Sequence, residues 1–342
     1  MSNAKIAIVI LNWNGAKLLQ QFLPSVIEFS KGDWVEIVVA DNGSTDESLS
    51  IIRNKFPKVT VLDLKQNYGF ARGYNEALKQ IEADYFVILN SDVEVTAGWL
   101  DSPVRLMESE ENIAAIQPKI LSYHNKTHFE YAGAAGGFID RYGYPFCRGR
   151  IFDDVEADNG QYDTPIDVFW ATGACIFIRS KLYREMGGFD ADFWAHMEEI
   201  DLCWRLKNSG YRIVYTPEST VYHVGGGTLE YNNPQKLYLN FRNNLWLLYK
   251  NLPGNQLFYV LFIRMILDSV AATKLLGEFN FNGIKSVLKA HLHFYKSLPA
   301  LNSKRKLVRR NEPFSQHAGL LSNSIVFQFY IRNRKRFSEI KF

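Results

Sequence analysis

Within its first 90 residues the chain carries four short apolar runs rich in Val and Ile, at 6–11, 35–40, 59–64 and 85–89, and the segments between them have helical periodicity and helix-start residues. A strand without a polar face has no side to give to water, so it must be covered above and below. Strands alternating with helices meet that demand as a mostly parallel sheet with helices packed on both faces. An α/β fold follows, and on open sheets of this kind ligands bind beyond the carboxyl ends of the strands. The polar residues that close each run are therefore where chemistry is to be sought.

The order is less regular from about 113 to 180. Gly and aromatic residues crowd 131–149, and a polar loop through Asp153, Asp154, Glu156 and Asp158 follows, which predicts a mobile, partner-facing insertion. Regularity returns with a strand-like run from Phe169 to Ile178, a helix from about Glu198 to Ser209, and strands at Arg212–Tyr215 and Thr220–His223. Beyond Pro234 the spacing of Leu237, Phe241, Leu245 and Leu248 is helical, which predicts a boundary close to residue 232. With 342 residues, 47% of them hydrophobic, the chain can bury one large core or two ordinary ones.

Charge is unevenly spread. Residues 301–342 hold ten Lys or Arg against two Glu, a net of +8 that leaves the preceding 300 residues at −5 within a whole-chain charge of +3. The basic character belongs to this tail, which lacks a nucleic-acid-binding motif, so no nucleic acid is expected as partner. Cys147, Cys175 and Cys203 show no Cys-x-x-Cys spacing, which implies neither a disulfide framework nor a zinc ribbon and fits a reducing, cytoplasmic setting. The N-terminus enters an apolar strand within five residues and lacks a signal-peptide pattern, so export is not expected. The apolar stretch 257–276 has spanning length but carries Arg264, Asp268 and Lys274, which are costly in hydrocarbon, and it reads as an amphipathic or buried helix.

The first run leads into Asn12-Trp13-Asn14-Gly15, the second into Asp41-Asn42-Gly43-Ser44-Thr45-Asp46 and the fourth into Asn90-Ser91-Asp92, so all three lie on one sheet edge. Asp41 offers acceptors to a base or ribose, and Gly15 and Gly43 permit tight turns close to a ligand. After the third run, Asn67-Tyr68-Gly69-Phe70-Ala71-Arg72-Gly73-Tyr74-Asn75 opens a helix on which Arg72 and Asn75 share a face suited to ribose, sugar or diphosphate oxygens. Asp92 ends a strand whose interior cannot solvate a carboxylate. Its charge belongs at the mouth of a site, where Mg²⁺ or Mn²⁺ would suit it. Glu198-Glu199-Ile200-Asp201 puts three carboxylates in the first turn of a helix, where the dipole favours ionised forms and one can serve as general base. His223, beside Gly225-Gly226-Gly227, can complete a metal site. Taken singly, each motif is also explained by helix capping, a solvated turn or a packed side chain.

In order, Asn12-Trp13-Asn14, the loop from Asp41 to Asp46, Asn67-x-Gly69-Phe70-Ala71-x-Gly73-x-Asn75, Leu89-Asn90-Ser91-Asp92, Gly187-Gly188-Phe189-Asp190, Glu198 to Arg205 and His223 resemble the family 2 glycosyltransferases, in particular their rhamnosyltransferase-like branch, over about residues 5–250. The resemblance implies a GT-A fold over 1–232, with a nucleotide-binding half to about 112 and an acceptor-binding half over 113–232, followed by a helical, basic region over 233–342. It implies Asp41 on the base or ribose, and Asn12, Asn14, Asn67, Arg72, Asn75 and Ser91 around the donor. Thr172 and Gly173 match the segment beside the donor sugar, and Trp170 and Trp194 offer stacking faces to sugar rings. Asp92 would be the principal metal ligand and His223 a further one. Two departures matter: the family's Glu-Asp pair reads Glu198-Glu199, and the first position of its D-x-D motif is Asn90. Alignment ranks Glu199 first as base, with Glu198 and Asp201 as alternatives.

The reaction so implied is one displacement. Glu199 takes the proton of an acceptor hydroxyl, whose oxygen attacks the anomeric carbon opposite the departing nucleoside diphosphate and inverts its configuration. The partners implied are a nucleotide-diphosphate sugar, dTDP-rhamnose or a UDP-sugar, and a polysaccharide or lipid-linked glycan. The rivals are a noncatalytic glycan-binding protein of the same fold and a sugar nucleotidyltransferase. Retention of Asp92 and Glu199 argues against the first, and the missing Gly-rich, Arg-containing loop after the first strand argues against the second. The C-terminal helices, with Lys304-Arg305-Lys306, Arg309-Arg310 and Arg332 to Arg336, predict peripheral attachment to the inner face of the cytoplasmic membrane, or else a packing extension that serves a homodimer.

Overall fold

The computed structural model describes residues 4–225 and 233–342. Its first part alternates strand and helix: β1 (Ile6–Asn12), α1 (Ala16–Phe29), β2 (Val35–Asp41), α2 (Ser48–Lys55), β3 (Thr60–Asp63), α3 (Gly69–Leu78), β4 (Tyr85–Leu89), β5 (Val93–Val95), α4 (Asp101–Ser109) and β6 (Ile113–Ser122). The four apolar runs are β1 to β4. β1 pairs in parallel with β2 and β4, and β2 with β3. Every residue of β4 is buried, as a continuous apolar run requires.

Next come β7 (Gly137–Asp140), β8 (Pro145–Cys147), β9 (Arg150–Ile151), β10 (Asp154–Val155), β11 (Ile166–Asp167), β12 (Cys175–Arg179), α5 (Ser180–Glu185), α6 (Glu198–Asn208) and β13 (Arg212–His223). The main sheet runs β3-β2-β1-β4-β12-β6-β13-β11, with β5 also on β13. β12 lies antiparallel between β4 and β6, and β13 parallel to β6, so a mixed half continues the parallel one.

The remaining elements are α7 (Pro234–Asn251), α8 (Gly254–Gly277), α9 (Phe281–Leu307), β14 (Leu320–Leu321) and α10 (Ile325–Tyr330). Asn233 caps α7, accepting from Gln235 N at 2.8 Å. Residues 226–232, which include Gly226, Gly227 and the expected boundary at 232, lie outside the described residues. Leu245, Phe294, Leu301 and Ile325 belong to the same buried cluster as Phe169 and Trp204, so the helical region and the sheet share a core.

Three segments differ from the expectation. First, 131–158 is no mobile insertion: β7 to β10 form a second sheet, which β14 completes by pairing in parallel with β7. Its Phe138 is capped by Phe337 and Phe342 at ring distances of 4.7 and 5.3 Å, so the aromatic residues that look like loop are core whose partners arrive late in the chain. Second, the run from Phe169 is split: Trp170 forms an isolated antiparallel bridge with Gly137 of β7, and only from Cys175 does the chain join the main sheet as β12. The chain is diverted at Thr172, whose N–H donates to Gln117 Oε1 at 3.0 Å while its hydroxyl accepts from Ala174 N at 3.2 Å. Third, Arg212 to His223 is one strand with an irregularity between Thr216 and Thr220.

The basic tail is also tied into the fold. Lys304 pairs with Asp190 and Asp192, and the Arg310 guanidinium donates to Lys250 O at 2.7 Å. α8 is neither a buried helix nor one with its polar face outward: Arg264 and Asp268 are buried as a pair at 2.7 Å, while Phe258 and Phe262 are exposed. Among the described residues no helix is long and apolar enough to cross a membrane.

Candidate active site

Pairing of β1 with β2 places Asn12 opposite Asp41 at the strand ends. Asn12 Nδ2 donates to Asp41 Oδ2 at 3.0 Å and to Ser44 Oγ at 3.1 Å, Ser44 N donates to Asp41 Oδ1 at 2.9 Å, and Asn14 Oδ1 accepts from Thr45 N at 2.7 Å. Both oxygens of the buried Asp41 are thus engaged, each by one bond, and each keeps a second lone pair for a base or ribose. The buried Asn12 Oδ1 has no protein partner. Gly43 has φ +75°, and a Cβ there would lie 2.5 Å from Gln66 Cα, so only glycine lets this loop rest on the loop before α3. Asn42, a member of the Asp41–Asp46 motif with no role of its own assigned from the sequence, joins the two: its Nδ2 donates to Asn67 Oδ1 at 3.1 Å and to Gly69 O at 3.2 Å, and its Oδ1 accepts from Tyr68 N at 3.0 Å. A Cβ added to Gly15 would lie 3.9 Å from Ser91 Oγ, which brings the β4 loop to the same place. Asn12, Asn14, Asp41, Asn67 and Ser91 therefore meet.

Arg72 and Asn75 part company. Arg72 is exposed on α3, over the Tyr68 ring at 4.7 Å and 3.8 Å from Glu76. Asn75 instead grips the turn before Asp190: Nδ2 donates to Phe189 O at 2.8 Å, and Oδ1 accepts from Phe189 N at 3.0 Å and Tyr183 Oη at 2.6 Å. With its amide committed on both sides, Asn75 holds backbone, contrary to the expected donor contact.

β13 runs antiparallel to β5 with His223 opposite Val93, which lands the imidazole beside Asp92. His223 Nε2 is 3.2 Å from Asp92 Oδ1, and Nδ1 is 3.2 Å from Glu130 Oε2; all three residues are buried. Burial opposes charge on the ring, but the two carboxylates outweigh it and raise the His223 pKa to about 10. Burial likewise pushes Asp92 up, and the bond to His223 overrides this to hold it below the usual carboxylate range. A cation bound here would displace a ring proton from His223; one carboxylate oxygen and one imidazole nitrogen at a strand end then make an open donor set that fits Mn²⁺, with phosphate and water left to fill the other positions. Among the described residues no cluster of three or more His, Cys, Asp and Glu forms a complete cage. Glu130 occupies the far side of the ring, where carboxylates orient metal-binding histidines. Its only signal in the sequence is an acid beside a Gly- and Ala-rich stretch.

Thr172 and Gly173 lie between this corner and α6. Ala174 O accepts from Asn90 N at 3.0 Å on one side, and Ala171 N reaches Cys203 Sγ at 3.5 Å on the other. α6 is entered through Trp194, His196 and Met197, which have φ of 67°, 69° and 73°. Such backbone is costly for residues with a Cβ and persists only when its surroundings hold it. Here Asn243 Nδ2 lies within 3.0, 2.9 and 2.7 Å of the Phe193, Ala195 and His196 carbonyls, and Phe70 N donates to Trp194 O at 3.1 Å. Trp194 is half exposed and packs on Gly69, whereas Trp170 is a core residue whose Nε1 donates to Phe138 O at 2.8 Å.

This strap delivers Glu198 and Glu199, each with an Oε2 that has no protein partner. Burial, reinforced by the neighbouring Glu199 charge, holds Glu198 well above the carboxylate range; burial raises Glu199 to about 7 against the backbone N–H groups that favour its charge. Asp201 does not join them. It is fully buried, with Oδ2 accepting from Arg205 Nε and Lys250 Nζ, both at 2.8 Å, and Oδ1 from Asn251 Nδ2 at 2.9 Å. Despite burial, these cations keep its pKa low. Asp201 fastens α6 to α7, and as a candidate base it is withdrawn.

A parallel half carrying ligand-facing loops, continued by a mixed half whose last strand returns a histidine to the β4 end, is the architecture of the GT-A nucleotide-diphospho-sugar transferases. Residues 7–187, more than half of the chain, match the family described as Glycosyl transferase family 2, and the protein belongs to that family. It is similar to the N-acetylglucosaminyl-diphospho-decaprenol L-rhamnosyltransferase of Mycobacterium tuberculosis, at 24% identity over 233 residues that cover 64% of this chain and 75% of the relative. It is also similar to the O-antigen biosynthesis protein RfbC of Myxococcus xanthus, at 25% over 222 residues, 64% of this chain and 17% of that one. Among solved structures it resembles S. aureus TarS 1–349 in complex with UDP-GlcNAc, with a TM-score of 0.57 at 15% identity over 88% of this chain and 83% of the other. The mannosyltransferase PcManGT from Pyrobaculum calidifontis, in complex with GDP-Man and Mn²⁺, gives 0.54 at 14% over 90% and 86%. At these identities the likeness to the structures is one of fold.

Proposed function

We propose that this glycosyltransferase moves a sugar from a nucleoside diphosphate to a glycan hydroxyl by one inverting displacement, with Mn²⁺ or Mg²⁺ at Asp92 and His223 and with Glu199 as general base. The observation that carries the reading is Glu199 itself. It has an unpartnered oxygen and a pKa raised to about 7, and it lies in the first turn of the helix whose Cys203 meets Ala171, next to the Thr172–Gly173 segment. A base whose pKa lies near the working pH combines a useful ionised fraction with real proton affinity. Burial and the neighbouring Glu199 charge push Glu198 well above the carboxylate range, which makes Glu199 the better candidate for the ionised base.

The cation, when bound, neutralises charge growing on the diphosphate as the glycosidic bond breaks. Asp92 and His223 would hold it, and their mixed oxygen and nitrogen donors favour Mn²⁺ over Mg²⁺. The nucleoside would lie on the platform of Asn12, Asn14, Asp41 and Asn67 with Ser91 at its edge. Arg72, exposed on α3, can swing its guanidinium onto phosphate oxygens. The donor we favour is dTDP-rhamnose or a UDP-sugar, and the acceptor a polysaccharide or lipid-linked glycan. The relative named for rhamnosyl transfer to a diphospho-decaprenol supports that choice, and a lipid-linked acceptor would be met at the inner face of the cytoplasmic membrane.

The test is turnover of dTDP-rhamnose and of UDP- and GDP-sugars with Mn²⁺, with the anomeric configuration of the product read by NMR. Release of nucleoside diphosphate with inverted configuration supports the assignment. Retained configuration, release of pyrophosphate, or full activity in Glu199→Gln rejects it.

A further inference from the structure

The helical region leaves an apolar face uncovered. On α8, Phe258, Phe262, Ile266 and Val270 recur every four residues and are 83%, 56%, 46% and 59% exposed, and on α9 Leu288 and Leu292 are 59% and 61% exposed. The opposite side of α8 is fixed inward. Its buried Arg264–Asp268 pair is joined by His291, whose Nε2 is 3.1 Å from Asp268, and by Asn244, to which Arg264 donates. The helix therefore cannot roll its stripe into the core without stranding a buried ion pair. α8 and α9 meet where the Tyr295 hydroxyl reaches the Met265 sulfur at 3.9 Å, and Tyr295, itself exposed, continues the Leu288–Leu292 stripe. α8 has 24 residues, so this face extends over roughly 36 Å.

Charge decides what covers it. From Gly254 to Ala300 the acidic residues are Asp268, fully buried, and Glu278, whereas Lys274, Lys285, Lys289 and Lys296 are exposed. Helical spacing sets Lys285, Lys289 and Lys296 along one flank of the Leu288–Leu292 stripe. A second copy related by a two-fold axis would meet the same apolar, basic face and bring only Glu278, already paired with Lys274, against the lysines. A bilayer bearing anionic lipid answers both features: the apolar side chains enter the acyl boundary while the lysines reach the phosphates.

We propose that the α8–α9 face docks this protein on an anionic membrane leaflet. The inference builds on the reading of a lipid-linked acceptor and moves the point of attachment away from the basic tail, whose Lys304 and Arg310 are committed to internal partners.

Full-length protein is floated with vesicles of phosphatidylcholine, with and without phosphatidylglycerol. The parent should float with the anionic vesicles. Phe258→Ser combined with Phe262→Ser should lower partitioning on the order of 100-fold, about tenfold for each side chain withdrawn from the acyl boundary. Lys285→Glu combined with Lys296→Glu should lower it on the order of 100-fold or more, since each reversal removes one attraction and adds a repulsion. Melting curves and nucleotide-sugar turnover without lipid should match the parent in both variants, which separates lost docking from lost folding. Absence of flotation by the parent, or equal flotation by the Phe258/Phe262 variant, overturns the proposal. So does light scattering that shows a dimer dispersed by the same substitutions, which would give the face to a second copy. If the parent floats but turns over no nucleotide sugar, the catalytic reading fails and the docking surface stands.

Discussion

Glu198 and Glu199 are adjacent in sequence and in the same first turn, yet burial pushes one well above the carboxylate range and the other to about 7. Glu199→Gln should lower kcat roughly 10²–10⁴-fold. In the parent, kcat/KM should rise about tenfold per pH unit up to about 7 and then level, as the base loses its proton. Linkage gives stability the opposite sign. A carboxyl whose pKa is raised on folding stabilises fully below its ordinary value, and that contribution is lost as pH rises through the raised one. At pH 8, Glu199→Gln should therefore melt about 2–4 °C above the parent, a gain that fades toward pH 4.5 in calorimetry. Glu130 invites a second substitution: Glu130→Gln should weaken Mn²⁺ binding on the order of 10–100-fold in an electron paramagnetic resonance titration, and unchanged affinity would deny it the orienting role. The motifs around Asp92 and His223 are legible because local residues carry them. Glu130 is not, because its partner lies at the end of β13 and no spacing rule joins them.

At the scale of elements, the strap from Phe193 to Met197 is held from outside by Asn243 on α7. Asn243→Ala should let the left-handed residues relax and displace Glu199, and a shift of about 1 Å in a catalytic group is enough to lower kcat up to roughly 100-fold. The check is a loss in kcat with little change in nucleotide affinity; equal loss in both would mean general collapse. β1 to β4 could be read from the sequence because burial on both faces writes itself as continuous apolar runs. β7 to β10 could not, since they are two to four residues long and owe their order to β14 and to Phe337 and Phe342. Asn75 misled for a related reason: its helical spacing with Arg72 is real, but the turn at Phe189, far along the chain, takes its amide.

Across the whole molecule, the α6–α7 joint rests on Lys250, which bridges Asp190 and Asp201 at 2.8 Å each. Lys250→Met would leave two buried carboxylates short of a partner and should lower stability by about 3–5 kcal/mol in urea titration. A far smaller change would show that Arg205 and Lys304 suffice. The parallel pairing of Leu320 with Ile139 bears on how the chain is made. During synthesis the β7 edge stays bare until roughly 180 further residues have been added, some 10–40 s at ribosomal rates. An unpaired edge beside exposed phenylalanines invites association with other chains over that interval. The second sheet is therefore where a chaperone would be needed before the enzyme is whole.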